Sequence, residues 1–440
     1  MAIQGPTNYE HPFPNYQLND IHQAMDYNSA GQPILRVNTG STGTGNTVVN
    51  GDTTLDAFGR QRVSSPRTLF DSHNRYLNGD QFATKQTNGT VTYLPNESSF
   101  DLAVGTTDGD FVYRQGRKVQ LYQPGKSLQI MNTFAFSELH PNLRQRVGYF
   151  TSENGVFFEA DGEDLYLVIR SYVTGSAVDT RIAQADWNQD KMDGTGASGI
   201  TIDPTLTQIF WIDIEWLGVG SVRCGFVVNG IFFIAHVFNH ANQSGQTEVY
   251  MTTANLNCRY EIENTGTTTG TPTMKQICST VISEGGFQPK PTVKYARSGL
   301  PEASLGASDT IEPLATIRLN SAYPDSIVQP TSIDFVTTSV VYGEVLLIKD
   351  ATLTGASYAN VASSTVQLDT SANAVSGGEI VYSKIFASRD VIELDPDIQE
   401  RLQLERDVDG TSTTLTLAVQ TTNNNPNAIW NFGWAELSNR

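Results

Sequence analysis

The sequence predicts an all-β protein built from antiparallel sheets. Short runs rich in β-branched and aromatic residues alternate with Gly, Asn, Asp and Ser turns over most of the 440 residues, which is typical of sandwiches and barrels. Helical periodicity is confined to residues 390–405 and 19–28. The dipeptide Asn229-Gly230 lies between two apolar runs. It predicts a two-residue hairpin loop, because both central residues of a type I′ turn need positive φ.

The region around this turn predicts three adjacent strands. Residues 210–217 alternate strictly, which marks a strand with one apolar face, and a turn at 217–221 leads to a second strand at 222–228. The two-residue loop then fixes the register of the hairpin. On one face we expect the pairs Val228–Ile231, Phe226–Phe233, Cys224–Ala235 and Val222–Val237, and on the other Val227–Phe232, Gly225–Ile234 and Arg223–His236.

Composition divides the chain into four parts. Residues 1–52, rich in Pro, Asn, Gly and Thr, predict an extended arm and spacer with scattered aromatic anchors. Residues 53–290 hold many strand candidates and predict the main sandwich domain. Residues 291–312, rich in Pro, Gly and Ser, predict a linker, and residues 313–440 predict a second β-domain. The aromatic anchors of the arm are Tyr9, Phe13 and Tyr16.

The charge balance argues against one class of partner. The chain carries 46 acidic and 28 basic residues, a net charge of −18, whereas nucleic-acid binding needs clustered Lys and Arg. We therefore expect no nucleic-acid partner. No stretch has the length and apolar character of a membrane span, and the N-terminal residues contain no apolar signal-peptide core. We expect neither membrane insertion nor secretion.

The motifs of metal and cofactor sites are missing from the sequence. Cys224, Cys258 and Cys278 are an odd number of thiols without Cys-x-x-Cys spacing, which favours buried thiols in a reducing compartment over disulfides or zinc. His236 lies on a predicted strand, where four residues span about 13 Å, and His240 begins the loop after it, so the two are too far apart for one metal ion. We expect His236 to be hydrogen-bonded near Arg223 or a carboxylate, and we expect no cofactor.

Three further stretches have structural interpretations. The acidic glycine turns at 159–165 and 190–196 lack EF-hand spacing, and they predict hairpin loops more readily than calcium sites. Residues 122–127 lack the first glycine of a phosphate-binding loop, because that position is Gln120. The basic run at 114–118 predicts side chains that are solvated or face an acidic neighbour.

One run bears on glycan-cleaving chemistry. The segment "WIDIEWLG", with Asp213 and Glu215 on one strand face, resembles the Glu-x-Asp-x-Glu strand of jelly-roll glycoside hydrolases. In those enzymes the outer glutamates are the nucleophile and the acid/base, and a retaining mechanism needs two carboxyls about 5 Å apart. Trp211 occupies the nucleophile position here. We therefore expect two solvated carboxylates on the polar face of a strand, and no enzyme.

The most specific string in the chain is "DAFGRQRVSSPRTLFDSHNRY" at 56–76. Further strings at 24–37, 213–242, 259–266 and 351–358 accompany it. Together they resemble a family of virion structural proteins of tailed phages, especially marine and cyanobacterial ones. The resemblance extends over the arm, the central region and the C-terminal part, and it implies a structural role without catalytic residues.

The residues and the resemblance together lead to one hypothesis. The chain is a virion structural protein assembled in the host cytoplasm, with a lectin-like (concanavalin-like) jelly-roll sandwich and a C-terminal β-sandwich domain. A tail, fibre or neck position is favoured over head decoration. Its partners are other virion proteins and further copies of itself. The arm aromatics dock onto them together with Phe58, Arg60 and Arg62.

Two alternatives stay open at this point. A lectin-like adsorption protein would hold a host-surface glycan on exposed aromatic residues, Trp187 or Trp211, beside Asp213 and Glu215. A glycan-cleaving enzyme would use Asp213 and Glu215 themselves. An adsorption protein can also be structural, so the first alternative is partly compatible with the main hypothesis.

Overall fold

The structure of the chain, a computed structural model, describes most residues after position 64 and two short N-terminal segments. The described ranges are 25–27, 33–35, 65–76, 81–136, 138–286, 288–298, 303–337, 339–423 and 426–437. The predicted docking residues Tyr9, Phe13, Tyr16, Phe58, Arg60 and Arg62 lie outside these ranges. Their role therefore stays a prediction.

The chain divides into two units between Val48 and Val49. In the first unit, β1 (Met25–Tyr27) pairs antiparallel with β2 (Pro33–Leu35). The predicted helix at 19–28 is therefore wrong at its described residues. Cross-strand pairing along this short ladder overrides a weak helical pattern.

The first β-domain of the second unit is a sandwich of two antiparallel sheets. Their strand orders are β12-β11-β10-β9-β16-β7-β4 and β15-β14-β13-β8-β17-β6-β5, with β3 also pairing with β17. The strands are β3 (Arg67–Ser72), β4 (Phe82–Thr87), β5 (Gly89–Leu94), β6 (Ser99–Val104), β7 (Phe111–Gly116), β8 (Leu128–Phe136), β9 (Leu143–Phe150), β10 (Gly155–Asp161), β11 (Asp164–Ser171), β12 (Val178–Ala183), β13 (Gln208–Ile214), β14 (Val222–Val228), β15 (Ile231–Phe238), β16 (Cys258–Asn264) and β17 (Thr273–Ser283). The predicted all-β jelly-roll sandwich is confirmed.

Aromatic side chains join the two sheets of the sandwich. Phe158 on β10 contacts four phenylalanine rings of the facing sheet, and the shortest centroid separation, 5.1 Å to Phe226, is edge-to-face. Such pairs stabilise a core beyond the apolar area that they bury. The thiols of Cys224 and Cys258 lie in the same core as free cysteines, while Cys278 is partly buried. Burial raises the pKa of Cys258 to about 12.

The outer face of the seven-stranded sheet carries charged side chains that are buried and form ion pairs with one another. Arg146 contacts Glu159 at 2.6 Å and Glu261 at 3.2 Å, and its guanidinium lies over the ring of Phe157. Burial raises the pKa of Glu261, but Arg259 and Arg146 outweigh it and hold that pKa below its usual range. Charges buried in this way are stable because each has opposite charges and hydrogen bonds within reach.

The predicted hairpin is confirmed near its turn. Asn229 and Gly230 both have positive φ, and Phe226 pairs with Phe233. The next pair, Gly225–Ile234, is also as predicted, but a β-bulge follows it. An added Cβ at Gly225 would meet the carbonyl oxygen of Phe233 at 1.8 Å, so only glycine permits this close approach of backbones. The predicted pairs beyond the bulge are wrong, and the observed pairs are Cys224–His236, Arg223–Val237 and Val222–Phe238.

The C-terminal β-domain is formed mainly by one large antiparallel sheet around its own core. Its strand order is β18-β30-β21-β28-β27-β22-β29-β20-β25-β24, with β19 beside β30 and a separate β23–β26 pair. The elements are β18 (Thr292–Arg297), β19 (Ala303–Ser304), β20 (Ile311–Leu319), β21 (Val328–Thr337), β22 (Tyr342–Lys349), β23 (Thr352–Thr354), β24 (Ala359–Asn360), β25 (Val366–Asp369), β26 (Ala374–Ser376), β27 (Glu379–Ala387), β28 (Arg389–Glu393), helix α1 (Pro396–Arg401), β29 (Thr414–Thr421) and β30 (Asn427–Glu436).

Two expectations about this domain are wrong. The predicted linker at 291–312 contains β18 and β19, which both pair with β30, so these residues belong to the domain. The predicted helix at 390–405 begins only at Pro396. A residue before proline is disfavoured in the α region, and Asp395 is extended at ψ 147°. The preceding residues pair with β21 instead.

The buried Phe226 should carry much of the hairpin's stability. Phe226→Ala is expected to lower the free energy of unfolding by about 3–5 kcal/mol through lost burial and a residual cavity. Ile231→Ala on the same hairpin is the control, because that side chain is 45% exposed. Urea denaturation of both variants measures the difference. Equal losses would contradict the assignment of Phe226 to the core.

Candidate functional site

The residues singled out in the sequence as a glycan site are all buried. Trp187 and Trp211 are 3% and 2% exposed, and Asp213 and Glu215 are inaccessible to solvent. The expectations of exposed tryptophans and of solvated carboxylates are therefore wrong. Strand alternation separates two faces, but it does not show whether the outer face is covered.

Each of the two tryptophans has a structural role. Trp187 stacks on Phe226 in the sandwich core, and its indole nitrogen donates to the carbonyl oxygen of Ile182 at 3.1 Å. Trp211 contacts Phe232 edge-to-face, and its indole nitrogen donates to the carbonyl oxygen of Phe233 at 3.2 Å. Both rings are held by packing and a hydrogen bond, so neither offers a face to a ligand.

The carboxylate of Asp213 is held by a cross-strand ion pair. Asp213 lies directly opposite Arg223 on β14, and the guanidinium donates to one carboxylate oxygen. A carboxylate that is buried and ion-paired is not positioned to attack a sugar carbon. The structure therefore does not present Asp213 and Glu215 as an accessible pair.

The two histidines of the same region serve the fold as well. The Nδ1 atom of His236 accepts a hydrogen bond from the backbone nitrogen of Asn188, not from Arg223 or a carboxylate, and burial lowers the pKa of His236 to about 4. His240 stacks on Tyr250 with ring centroids 3.8 Å apart. Across the described ranges, no group of three or more His, Cys, Asp or Glu side chains is placed to hold a metal ion.

The acidic turns are closed by the chain itself. Asp161 pairs with Asp164 across a tight hairpin loop, as predicted. In the second turn, the two carboxylate oxygens of Asp190 accept hydrogen bonds from the backbone nitrogens of Met192 at 2.8 Å and Ser198 at 2.7 Å. These oxygens hold the loop together, so they are engaged with the backbone where a calcium ion would need them.

The basic run at 114–118 forms part of the contact between the two β-domains. Arg117 forms an ion pair with Asp407, which confirms the expectation of an acidic neighbour. Lys118 Nζ donates to the carbonyl oxygens of Glu400 at 2.9 Å and Arg401 at 3.1 Å, at the C-terminus of α1. A cation is favoured there, because the last carbonyl groups of a helix lack intrahelical partners.

Further bonds extend this contact into an interdomain lock, formed by residues 116–120 and 257 of the sandwich and residues 400–407 of the C-terminal domain. Arg406 donates from its backbone to the Arg117 carbonyl oxygen at 3.1 Å and from its guanidinium to Asn257 Oδ1 at 3.1 Å. Gln403 Nε2 donates to the carbonyl oxygen of Val119 at 3.0 Å. Beside these bonds lies an apolar cluster drawn from both domains, Val119, Ile327, Ala435 and Leu437.

A cavity of about 990 Å³ lies next to the interdomain lock. Two lysines on its wall are engaged with the protein itself: Lys349 contacts Glu405 at 2.6 Å, and Lys118 caps α1. Lys118 thereby joins the two domains, whereas the Lys349–Glu405 pair lies within the C-terminal domain.

A smaller cleft between the same two domains has a different character. Its volume is about 460 Å³. The sandwich contributes Leu121, Tyr122, Pro124, Trp216 and residues 252–255, and the C-terminal domain contributes Tyr323, Asp325, Ser326 and Thr365. Aromatic, amide, hydroxyl and carboxylate groups thus meet in one concave surface, which makes this cleft the candidate functional site.

The aromatic wall of the cleft is held in place on the sandwich side. Tyr122 and Trp216 are perpendicular, with ring centroids 6.0 Å apart. The indole nitrogen of Trp216 donates to the Met251 carbonyl oxygen at 3.2 Å, and the Tyr122 hydroxyl accepts from the backbone nitrogen of Leu217 at 3.2 Å. Burial raises the pKa of Tyr122 to about 12, so the hydroxyl stays protonated at neutral pH.

Polar groups complete the cleft from both domains. Asn255 Oδ1 accepts a hydrogen bond from the Tyr122 backbone nitrogen at 2.9 Å, whereas its Nδ2 atom donates to no described residue. Asp325 is half-buried, and its carboxylate accepts no hydrogen bond from the described part of the chain. Ser326 donates to Thr365 Oγ1 at 2.7 Å, and Thr365 donates to the buried Glu436 at 3.2 Å. The cleft therefore offers a donor, an acceptor and oriented hydroxyls.

None of the residues that line this cleft is predicted from the sequence to bind a ligand, although Tyr122 and Trp216 lie in runs discussed above. Trp216 belongs to the same run as Trp211, but β13 ends at Ile214. Beyond the end of the strand, the alternating pattern no longer predicts towards which face of the sheet a side chain points. The other residues come from distant parts of the chain. The sequence gives one indication of a functional position among them: Tyr323 and Asp325 lie in a polar turn between two predicted strands, and binding residues are often found in such loops.

Comparison with known proteins finds no matching family model and no matching curated protein. Among solved structures, a legume lectin-like domain from Entamoeba histolytica is 9% identical, with a TM-score of 0.30, and the match covers 50% of this chain and 98% of that one. The CBM2 module of the evolved Dit protein of Lactobacillus casei BL23 phage J-1 is 8% identical, with a TM-score of 0.32, over 51% and 99%. A family 16 glycoside hydrolase from Bacteroides ovatus is 7% identical, with a TM-score of 0.32, over 48% and 99%.

These likenesses supply no argument about function. Separately, no helix in the described ranges has the length and apolar character needed to cross a membrane.

The interdomain lock should make the two β-domains unfold together. Asn257→Ala removes an amide that donates to the carbonyl oxygens of Gly116 and Lys118 and accepts from Arg406. Leaving such buried groups without partners should cost about 2–5 kcal/mol. We expect calorimetry to show a lower melting temperature and two separated transitions.

The control for this variant is Asn96→Ala, at an exposed turn position. We expect its calorimetric trace to match that of the unaltered protein. A single unshifted transition for Asn257→Ala would show that the interdomain lock contributes little.

Proposed function

We propose that this chain is a structural component of a tailed-phage virion and acts through subunit contacts, with a tail, fibre or neck position ahead of head decoration. The resemblance of the string at 56–76 to virion structural proteins supports this assignment. A two-domain β-structure whose domains are joined by hydrogen bonds and an ion pair also suits a particle component. Support for subunit contacts comes from a strand edge in the C-terminal sheet that pairs little with the described part of the chain.

The exposed edge belongs to β27. One side of this strand pairs with β22 along its length, whereas on the other side its pairing with described residues is limited to Ala387–Arg389. The chain turns at Ser388, whose φ is positive, and β28 then pairs with β21. An edge of this kind is a template for pairing with another chain.

Large apolar side chains on this strand are exposed. Ile385 and Ile380 on β27 are 78% and 55% exposed. Scattered exposed apolar residues are common, but a group beside an open strand edge marks an interaction site.

The occupant that we propose for this edge is a second copy of the chain. Antiparallel pairing of β27 with its own copy, centred on Ser383, would pair the whole strand. Val381 would then lie opposite Ile385, and Lys384 opposite Tyr382. This register places neither Lys384 nor Glu379 opposite a like charge, and like charges directly opposite each other are destabilising.

Self-association through β27 should be weakened by one charge at its most exposed apolar position. Ile385→Asp is expected to raise the dimer dissociation constant at least about tenfold, or about 1.4 kcal/mol, because an unpaired carboxylate would be buried in the interface. Sedimentation velocity measures the effect. Leu206→Asp, at a 62% exposed site on the sandwich, is the control. A monomer at all concentrations, or equal effects of both variants, would contradict the interface.

The place in the particle has its own test. Purified virions should contain the chain in stoichiometric amounts by mass spectrometry, and antibody labelling should find it at the tail or neck. If it were confined to the lysate and missing from purified particles, the structural assignment would fail.

We also propose that the chain does not cleave glycans. Asp213 is buried and ion-paired, and Trp211 stands where the resembling hydrolases carry a nucleophile. No reducing ends should be released from β-glucan or host polysaccharide. Release that disappears in both Asp213→Asn and Glu215→Gln would overturn this expectation.

A further inference from the structure

We infer that the cleft between the sandwich and the C-terminal domain binds a neutral, hydroxyl-rich glycan. Trp216 and Tyr323 supply aromatic surface from opposite domains, and Asn255 and Asp325 supply the polar contacts. This site differs from the buried residues that the sequence suggested for glycan binding. It goes beyond the proposed particle role, since a cleft of this composition would bind sugar wherever the chain is placed.

The position and size of the cleft suit a small ligand. Binding sites for small molecules occur preferentially at domain interfaces and enclose roughly 300–1,000 Å³. The cleft, at about 460 Å³, lies within that range and is walled by two domains. The interdomain lock fixes those walls, so little freedom would be lost on binding. A preformed site of this kind avoids an ordering cost that weakens affinity.

The aromatic residues match the apolar faces of a sugar ring. Pyranose rings expose patches of C–H groups, which pack on the electron-rich face of an indole or phenol. The Trp216 ring is held by the hydrogen bond from its indole nitrogen to the Met251 carbonyl oxygen and by its perpendicular contact with the Tyr122 ring. Tyr323 is 41% exposed on the opposite wall. A sugar between these residues would meet aromatic surface without displacing any core side chain.

The polar residues match sugar hydroxyls, which both donate and accept hydrogen bonds. Asn255 Nδ2 can donate, because its hydrogen bond to Tyr122 uses the oxygen of the same amide. The Asp325 carboxylate can only accept, so it would bind the hydroxyl hydrogens that the amide cannot. Hydrogen bonds to a charged group are also the stronger kind.

The charge of the cleft selects a neutral ligand over an acidic one. Among the described residues that line it, Asp325 is a carboxylate, and none is Lys, Arg or His. The chain as a whole carries a net charge of −18. Sialylated, sulfated or uronic-acid glycans and phosphate-bearing ligands would therefore meet repulsion from Asp325. The guanidinium of Arg406 interacts electrostatically with Asp325, but it is buried and donates a hydrogen bond to Asn257, outside the lining of the cleft.

The test is a glycan array that contains neutral and acidic oligosaccharides, followed by calorimetric titration of the best neutral binder into the full-length chain. We expect neutral glycans to bind and acidic ones to be rejected. Binding only to acidic glycans, or to none on the array, would overturn the inference.

Paired variants locate the site. Tyr323→Ala and Asp325→Ala should each weaken binding of the titrated glycan at least tenfold. Tyr295→Ala is the matched control for the first, because Tyr295 is 56% exposed and lines a different cavity of the same domain. Circular dichroism and melting temperature show that each variant is folded. Unchanged affinity in both cleft variants, with binding intact, would place the glycan elsewhere and end the proposal.

These outcomes are separable from those of the particle assignment. Asp325→Ala should still be incorporated into virions, since Asp325 is distant in sequence from β27 and is not part of the proposed subunit contact. If the chain bound glycan but were missing from particles, the cleft proposal would stand and the virion assignment would fail. If it were present in particles but bound no glycan, the virion assignment would stand and the cleft proposal would fail.

Discussion

The arrangement of the second unit depends on hydrogen bonds between a segment of the sandwich, residues 116–120, and a segment of the C-terminal domain, residues 400–407. Arg406 reaches the carbonyl oxygen of Arg117, and Lys118 reaches the last carbonyls of α1. Each domain has its own apolar core, so neither core needs the other in order to form. The bonds between the segments instead fix the relative position of the cores, and this position creates the cleft. Trp216 and Asp325 thus line one common cleft, although they come from different domains.

The sequence predicts the fold well where local chemistry decides it. The Asn229-Gly230 turn sets the pairing of Phe226 with Phe233, since two positive φ angles and a two-residue loop leave one register. Prediction fails from Cys224 onward, because a bulge beside Gly225 shifts the ladder by one residue. The bulge is possible because Gly225 has no Cβ. The pattern of apolar residues does not reveal it. Proline is common at the first position of a helix, so Pro396 indicates where this helix begins. The helical periodicity of residues 390–405 instead led to a predicted start that is too early.

The candidate site was beyond sequence reasoning for a different reason. Alternation correctly places Asp213 on the face of β13 opposite Phe210, yet the polar face proves to be buried. Burial of an outer face depends on everything that packs above it, which no local pattern records. The cleft needs even more distant information. Tyr122, Trp216 and Asp325 come from three separate segments, and only the docking of two completed domains brings them together.

The sulfur chemistry of the core has a consequence for where such a chain can function. Thiols react with oxidants and alkylating reagents as thiolates, and burial keeps Cys224 and Cys258 protonated and out of reach. The folded sandwich can therefore move from a reducing interior to aerated water without covalent change at these two positions. Protection of this kind comes from packing, and it lasts only as long as the core stays closed. The reactivity of these two sulfurs is thus a built-in reporter of core opening.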